Sequence, residues 1–194
     1  MLLLMSNYTS VQNKLRAEIN SIIGDRRPVQ EDMKSCHYVR AFISECQRFR
    51  GITPFGTFHA TICDTELCGY KIPKGTRVIP GQWVVSFSSK HWHQPERFEP
   101  ERFLEADNEN DGKTRYVTTK PIAFIPFGTG RRVCLGEKMA LVDLFLILVR
   151  FIQLTDGYQV QPEDGPETAD LEPDPKIVLA CFPKSFKIKL EKCN

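Results

Sequence analysis

The run Phe127-Gly128-Thr129-Gly130-Arg131-Arg132-Val133-Cys134-Leu135-Gly136 constrains this chain more than any other part of it. Three glycines and two arginines there lead a single cysteine into a long apolar segment. Glycine lets the backbone pass close to a flat ligand with no Cβ in the way. Positive charge beside Cys134 and the N–H groups of a following helix both favour its thiolate, as a bound metal also would. Residues 137–154 follow, and from Met139 to Phe151 they are apolar on nearly every side except at Asp143 and Arg150. That composition predicts a helix buried within a larger protein. On these residues alone two readings stand: a buried structural cysteine beside a glycine loop, or a thiolate facing a flat ligand.

Upstream, Val11, Leu15, Ile19, Ile22 and Ile23 recur at three and four, which predicts an amphipathic helix over 9–23 with Thr9 and Gln12 as a capping box. Gly24 ends it, and residues 25–32 read as a loop. Tyr38, Ala41, Phe42, Cys46 and Phe49 place a second helix over about 34–49, closed by Gly51 and Pro54. Residues 57–61 and 66–79 carry a strand-and-turn pattern around Pro73-Lys74-Gly75. From 91 to 119 neither period holds, yet Trp92, Phe98 and Phe103 are too apolar for a solvated loop, so an ordered meander is expected. The acidic stretch 161–175 reads as a loop, and 176–190 as a pair of short strands around Pro183. With 194 residues, 41% of them apolar and 26% charged, the chain can close one core, as a domain or part of one.

A formal charge of +2, spread along the chain, is too small to argue for a nucleic-acid partner, and none is expected. Seven irregularly spaced cysteines with no signal peptide point to a reducing compartment. Cys63 and Cys68 flank a turn but have no second pair nearby to complete a tetrahedral zinc site. The apolar start runs only from Met1 to Met5, whereas a spanning helix needs about 20 residues, so no membrane anchor is expected in this chain. Asn7-Tyr8-Thr9 fits the N-glycosylation pattern and, without an entry signal, is accidental.

The glycine, arginine and cysteine run resembles the haem-binding signature of the cytochrome P450 family, matched at Phe127, Gly130, Arg132, Cys134 and Gly136. Glu45-Cys46-Gln47-Arg48 places a carboxylate and a guanidinium on one helix face, which by itself is a weak signal and in most sequences a surface ion pair worth about 0.2–0.5 kcal/mol. It is followed by Trp92, Pro95, Phe98 and Pro100-Glu101-Arg102-Phe103, which resemble the family's meander. The resemblance runs from about Tyr8 to Leu190 with the motifs in family order. Departures are Ser88, where aspartate is usual, and Cys46 in place of threonine.

The resemblance implies a mainly α fold with small β-sheets: the C-terminal portion of a single cytochrome P450 domain over residues 1–194, with its K helix, meander, cysteine-ligand loop, L helix and terminal β-hairpin. It implies haem b with Cys134 as axial ligand to the iron, and Glu45, Arg48 and Arg102 as a buried structural triad. Arg132 and His59 would bond haem propionates, although on sequence alone His59 reads as a core histidine. Residues 53–57 and 177–183 match segments that face substrate, though strand packing explains their apolar character equally well. Arg131 and Lys138 lie toward the face that receives electrons.

The activity implied is a haem-thiolate monooxygenase that hydroxylates an apolar small molecule of lipid, steroid or xenobiotic type. Its electrons come from NADPH through NADPH-cytochrome P450 reductase on the proximal face. The implied location is the cytoplasmic face of the endoplasmic reticulum membrane, held through a missing N-terminal part. No oxygen-activating residue falls within these 194 residues, because the acid-threonine helix belongs upstream. Gly165-Pro166-Glu167-Thr168 imitates it in letters but lies in a proline-rich loop. Two alternatives stand beside this: a catalytically incompetent truncated isoform that keeps the ligand loop without enclosing haem, and a P450 that isomerises peroxides without a reductase.

Overall fold

Helix periodicity sets the first half of the chain. The computed structural model describes residues 1–107, 112–177 and 179–193. A short helix α1 (Leu2–Asn7) turns at Tyr8 into α2 (Thr9–Ile22), which ends at Gly24 in the left-handed conformation, φ +61°. The expected capping box is absent: Tyr8 is the N-cap, without a side-chain cap bond. Gln12 is instead fully buried and clamps a distant backbone, its amide donating to Val160 O at 2.8 Å and accepting from Val160 N at 3.0 Å. The expected loop 25–32 is closed by Arg26 on Asp32 at 2.6 Å, and Gln30–Lys34 form a 3-10 turn.

Helix α3 (His37–Phe49) follows, capped from outside itself. The Glu18 carboxylate on α2 accepts Tyr38 N at 2.8 Å and Val39 N at 2.9 Å, which satisfies two of the N–H groups that a helix start leaves bare. One face of α3 (Val39, Phe42, Ile43, Cys46, Phe49) joins Leu15 and Ile19 of α2 in the main core.

Four small antiparallel ladders hang on this helical frame: β1 (His59–Ala60) pairs with β4 (Arg77–Val78), and β2 (Thr65–Leu67) with β3 (Tyr70–Ile72). The β2–β3 turn puts Cys68 and Gly69 at φ 51° and 85°, the left-handed pair that a two-residue hairpin turn demands. A five-residue helix α4 (Gln82–Ser86) precedes the meander, which is irregular and ordered as expected. There Trp92 and Phe103 form a second core with Ala41, Tyr116 and Phe124. Within the stretch expected to be irregular, β5 (Leu104–Ala106) pairs with β6 (Thr114–Tyr116), and residues 108–111 between them lie outside the described residues.

Helix α5 (Glu137–Leu154) has the expected bounds. It buries Phe145, Leu148, Val149 and Ile152 against α2 and α3 and leaves Met139, Ile147 and Leu154 exposed. Arg16 closes its C-terminal end, donating to Ile152 O at 3.1 Å and Tyr158 O at 2.6 Å. Among the described residues the expected strand pair within 176–190 is not formed: β7 (Tyr158–Pro162) pairs with β8 (Ile188–Lys192), and around Pro183 there is an isolated bridge to Pro173. Among the described residues no helix is long and apolar enough to cross a membrane.

Burial separates the seven cysteines. Cys36 and Cys46 are buried, and burial pushes each thiol up from 9.0 to about 12. The folded chain therefore holds these protons to higher pH than the unfolded chain, so stability is intact below pH 9 and falls as pH rises toward 12. Native alkylation with iodoacetamide at neutral pH should mark Cys63, Cys68, Cys134 and Cys193 and spare Cys36 and Cys46, read by peptide mass spectrometry. Urea midpoints should drop above pH 9 in the wild type and less in Cys36→Ala.

Candidate functional site

Burying charge is costly unless each group is paired and hydrogen-bonded. The inner face of α3 meets that condition. Glu45 and Arg48 have side chains that are 0% exposed and pair through both carboxylate oxygens, Nε to Oε2 at 2.7 Å and Nη2 to Oε1 at 2.8 Å. Glu99 N adds a bond to Glu45 Oε1 at 2.9 Å, and Arg102 Nε approaches the same oxygen at 3.4 Å. Burial pushes the Glu45 carboxyl up from the ordinary carboxylate value, opposed by Arg48, by the Glu99 N–H and by Arg102.

Apart from a 3.3 Å pairing of Arg102 with Glu99, the remaining donors of the two arginines go to main-chain carbonyls at the end of α4 and in the meander. Arg48 donates to Ser86 O at 2.8 Å, Pro95 O at 2.9 Å and Arg97 O at 3.1 Å. Arg102 donates to His93 O, to Gln94 O at 2.7 Å and to Arg97 O at 3.2 Å. An irregular segment has no ladder partners for its carbonyls; here the guanidinium groups supply them.

Cys134 lies at the mouth of α5. Gly128 and Gly130 before it take φ +77° and +72°, and a 3-10 turn over Gly130–Arg132 swings the chain back so that Cys134 N donates to Phe127 O at 2.9 Å. Gly136 ends the loop as the N-cap of α5, and a Cβ there would lie 3.8 Å from Cys134 Sγ. A Cβ at Gly130 would meet nothing within 4 Å, so that side of the loop is open. Cys134 is exposed, as are Val133, Met139 and Leu135, the last completely.

Arg131 and Arg132 are exposed and form no ion pair among the described residues. His59 is exposed on β1, opposite Val78, so it is not a core histidine; no hydrogen bond joins it to Arg132 among the described residues. Residues 53–57 and 177–183 are mostly exposed too, with Val178 outside the described residues.

These residues fit haem. Among the described residues no three His, Cys, Asp or Glu side chains converge on one point as a bare ion requires. A lone sulfur suits a metal that arrives with its other ligands in place, and unpaired guanidinium groups beside an open apolar surface suit a flat group with carboxylate arms. A second groove, lined by Lys14, Tyr38, Glu101 and Thr114, shares none of these residues, and its lysine is already paired with Glu101.

The carbonyl anchoring by Arg48 and Arg102 has one trace in the sequence, the want of any regular period from 91 to 103.

Residues 1–190 match the family model described as Cytochrome P450. The chain is 38% identical over 187 residues to cytochrome P450 2K6 of Danio rerio, covering 96% of this chain and 35% of the relative. It is 34% identical over 197 residues to the steroid 17-alpha-hydroxylase/17,20 lyase of Squalus acanthias, covering 98% of this chain and 36% of the relative. With human cytochrome P450 2D6 it shares 42% identity over 153 residues, covering 78% of this chain and 29% of the relative. The chain thus spans about a third of the length of the curated relatives it matches.

Glu45→Gln should leave the buried Arg48 without its counter-charge and Arg102 with Glu99 alone, at 3.3 Å, and cost about 3–5 kcal/mol. Urea unfolding gives the cost, and limited proteolysis should find new cleavage between residues 93 and 99. A loss below about 1 kcal/mol is the value for a surface pair and would show that the cluster is not buried as described.

Proposed function

We propose, from the premise that this chain belongs to the cytochrome P450 family, that it forms the haem-ligand end of a haem-thiolate monooxygenase acting on an apolar small molecule. The observation that carries this is the exposed Cys134 on a loop of left-handed glycines, beside two unpaired arginines. Bound haem would supply the redox chemistry that puts one oxygen atom into substrate, with electrons from NADPH through a reductase.

Each group of this chain has a separate task in that reading. Cys134 would hold the haem iron through its sulfur, with Phe127, Gly130 and Gly136 shaping the loop that carries it. Arg132 and His59 answer the carboxylate arms. Glu45, Arg48 and Arg102 are the structural triad; they touch no reactant and keep the meander folded behind the cysteine loop. Residues 53–57 and 177–183 give apolar walls to substrate, and Arg131 with Lys138 offers positive charge to an electron donor. The site belongs on the cytoplasmic face of the endoplasmic reticulum, with membrane attachment through sequence beyond these residues.

The bareness of Cys134, Arg132 and His59 favours a second reading of the 194 residues taken by themselves, a product that keeps the ligand loop without enclosing haem. One experiment separates the two. The protein carrying this chain, loaded with haem and reduced under carbon monoxide, should give a thiolate-type Soret band that Cys134→Ala removes. The 194 residues alone giving no band, but a normal one when the upstream part is supplied, would establish the second reading for the isolated chain. A band that survives Cys134→Ala would overturn the ligand assignment.

A further inference from the structure

Arg50 leaves α3 immediately after Phe49, and nothing above gives it a task. Its side chain is only 15% exposed. Nε donates to Leu171 O at 2.7 Å, Nη1 to Phe49 O at 2.9 Å and Nη2 to Glu172 Oε1 at 3.1 Å. The guanidinium carbon lies 4.2 Å from the Phe49 ring centroid and 5.4 Å from that of Trp83. Arginine is the side chain suited to such a place, since its planar fork reaches several acceptors while its face stacks on aromatic rings.

Two residues further on, Ile52 O accepts Cys181 N at 2.8 Å. The C-terminal segment folds back between these two ties: Asp174 N donates to Phe182 O at 2.8 Å, and Pro173 bridges Pro183. Leu171 and Cys181 are thus both fixed to the exit of α3 over a three-residue stretch, Arg50 to Ile52. Around these ties Ile52, Leu179 and Phe182 present apolar side chains, 65%, 66% and 47% exposed. A buried charge with fixed acceptors here sets the position of one chain segment against another, since neither segment has regular secondary structure to hold it.

We infer that Arg50 is a positioning residue, which locks residues 171–174 and, through them, residues 181–183 against residues 50–52, and so fixes the distance between the two apolar walls that meet substrate. The inference rests on the proposed function for the walls, while the lock itself is independent of haem. Loss of the fork frees the C-terminal segment to shift, and an apolar ligand then loses contact on one side while a small ligand does not.

The test uses Arg50→Met, which keeps the length and loses the fork, in the protein that carries this chain. Hydrogen exchange is the first readout: the Cys181 and Asp174 amides should exchange at least about tenfold faster, with amides within α5 unchanged. The second compares 4-phenylimidazole with imidazole by their Soret shifts in the haem-loaded protein. The preference for the larger ligand should fall roughly tenfold, the scale for lost apolar contact in a pocket, while the thiolate-type carbon monoxide band is kept. A ratio of dissociation constants does not respond to general loss of stability. Should Arg50→Met fail to fold, Glu172→Gln removes an exposed partner of the fork and should move both readouts in the same direction. Unchanged exchange overturns the lock; faster exchange with an unchanged ligand ratio overturns its role in positioning the walls. Absence of a thiolate band in the wild type overturns the proposed function instead, and the exchange result still decides the lock.

Discussion

Everything on the inner side of α3 depends on one buried carboxylate. Glu45 has lost all contact with water, and two guanidinium groups and a main-chain N–H replace what water gave it. Because those arginines then spend their other donors on the carbonyls of the meander, a single charge centre organises some ten residues that have no regular secondary structure. Charge burial in this place is organisational: it selects one path for an otherwise arbitrary loop. The net gain in stability over an apolar packing is a separate matter, and buried ion pairs often give none.

The cysteine loop works by the opposite device. It has few side-chain contacts, and its shape comes from two glycines in left-handed conformations, a 3-10 turn and one backbone bond from Cys134 to Phe127. Such a loop is shaped with little side-chain bulk, and that leaves room above it. The frame of α3 and the meander is thus held by buried side-chain charge, and the loop that carries Cys134 by backbone geometry.

Much of this was legible beforehand. The bounds of α5 follow from its apolar run, the loop before it from glycine and cysteine spacing, and the triad from the family resemblance and not from Glu-x-x-Arg itself, which has no meaning without its third member. What stayed hidden was tertiary. Nothing local distinguishes Gln12 in a cap from Gln12 on the Val160 backbone, or marks Glu18 as the cap of another helix. The three-residue strands of β5 and β6 are too short for a period to register, and the strand pair expected within 176–190 failed because β8 finds its partner in β7, before the acidic loop. His59 read as a core residue on composition, yet it stands on a two-residue strand with both positions exposed.

The two clamps on α2 differ in one further respect, the length of chain each must close. Glu18 reaches Tyr38 across 20 residues, whereas Gln12 reaches Val160 across 148. Loop-closure entropy grows slowly but steadily with that separation, so contacts between near neighbours form at less cost than those between distant ones. The α2–α3 pair can therefore assemble early, as a local hairpin of helices, before the tie to β7 closes. Until residues 137–162 follow, the face of α2 that α5 and β7 cover stands open to misassociation.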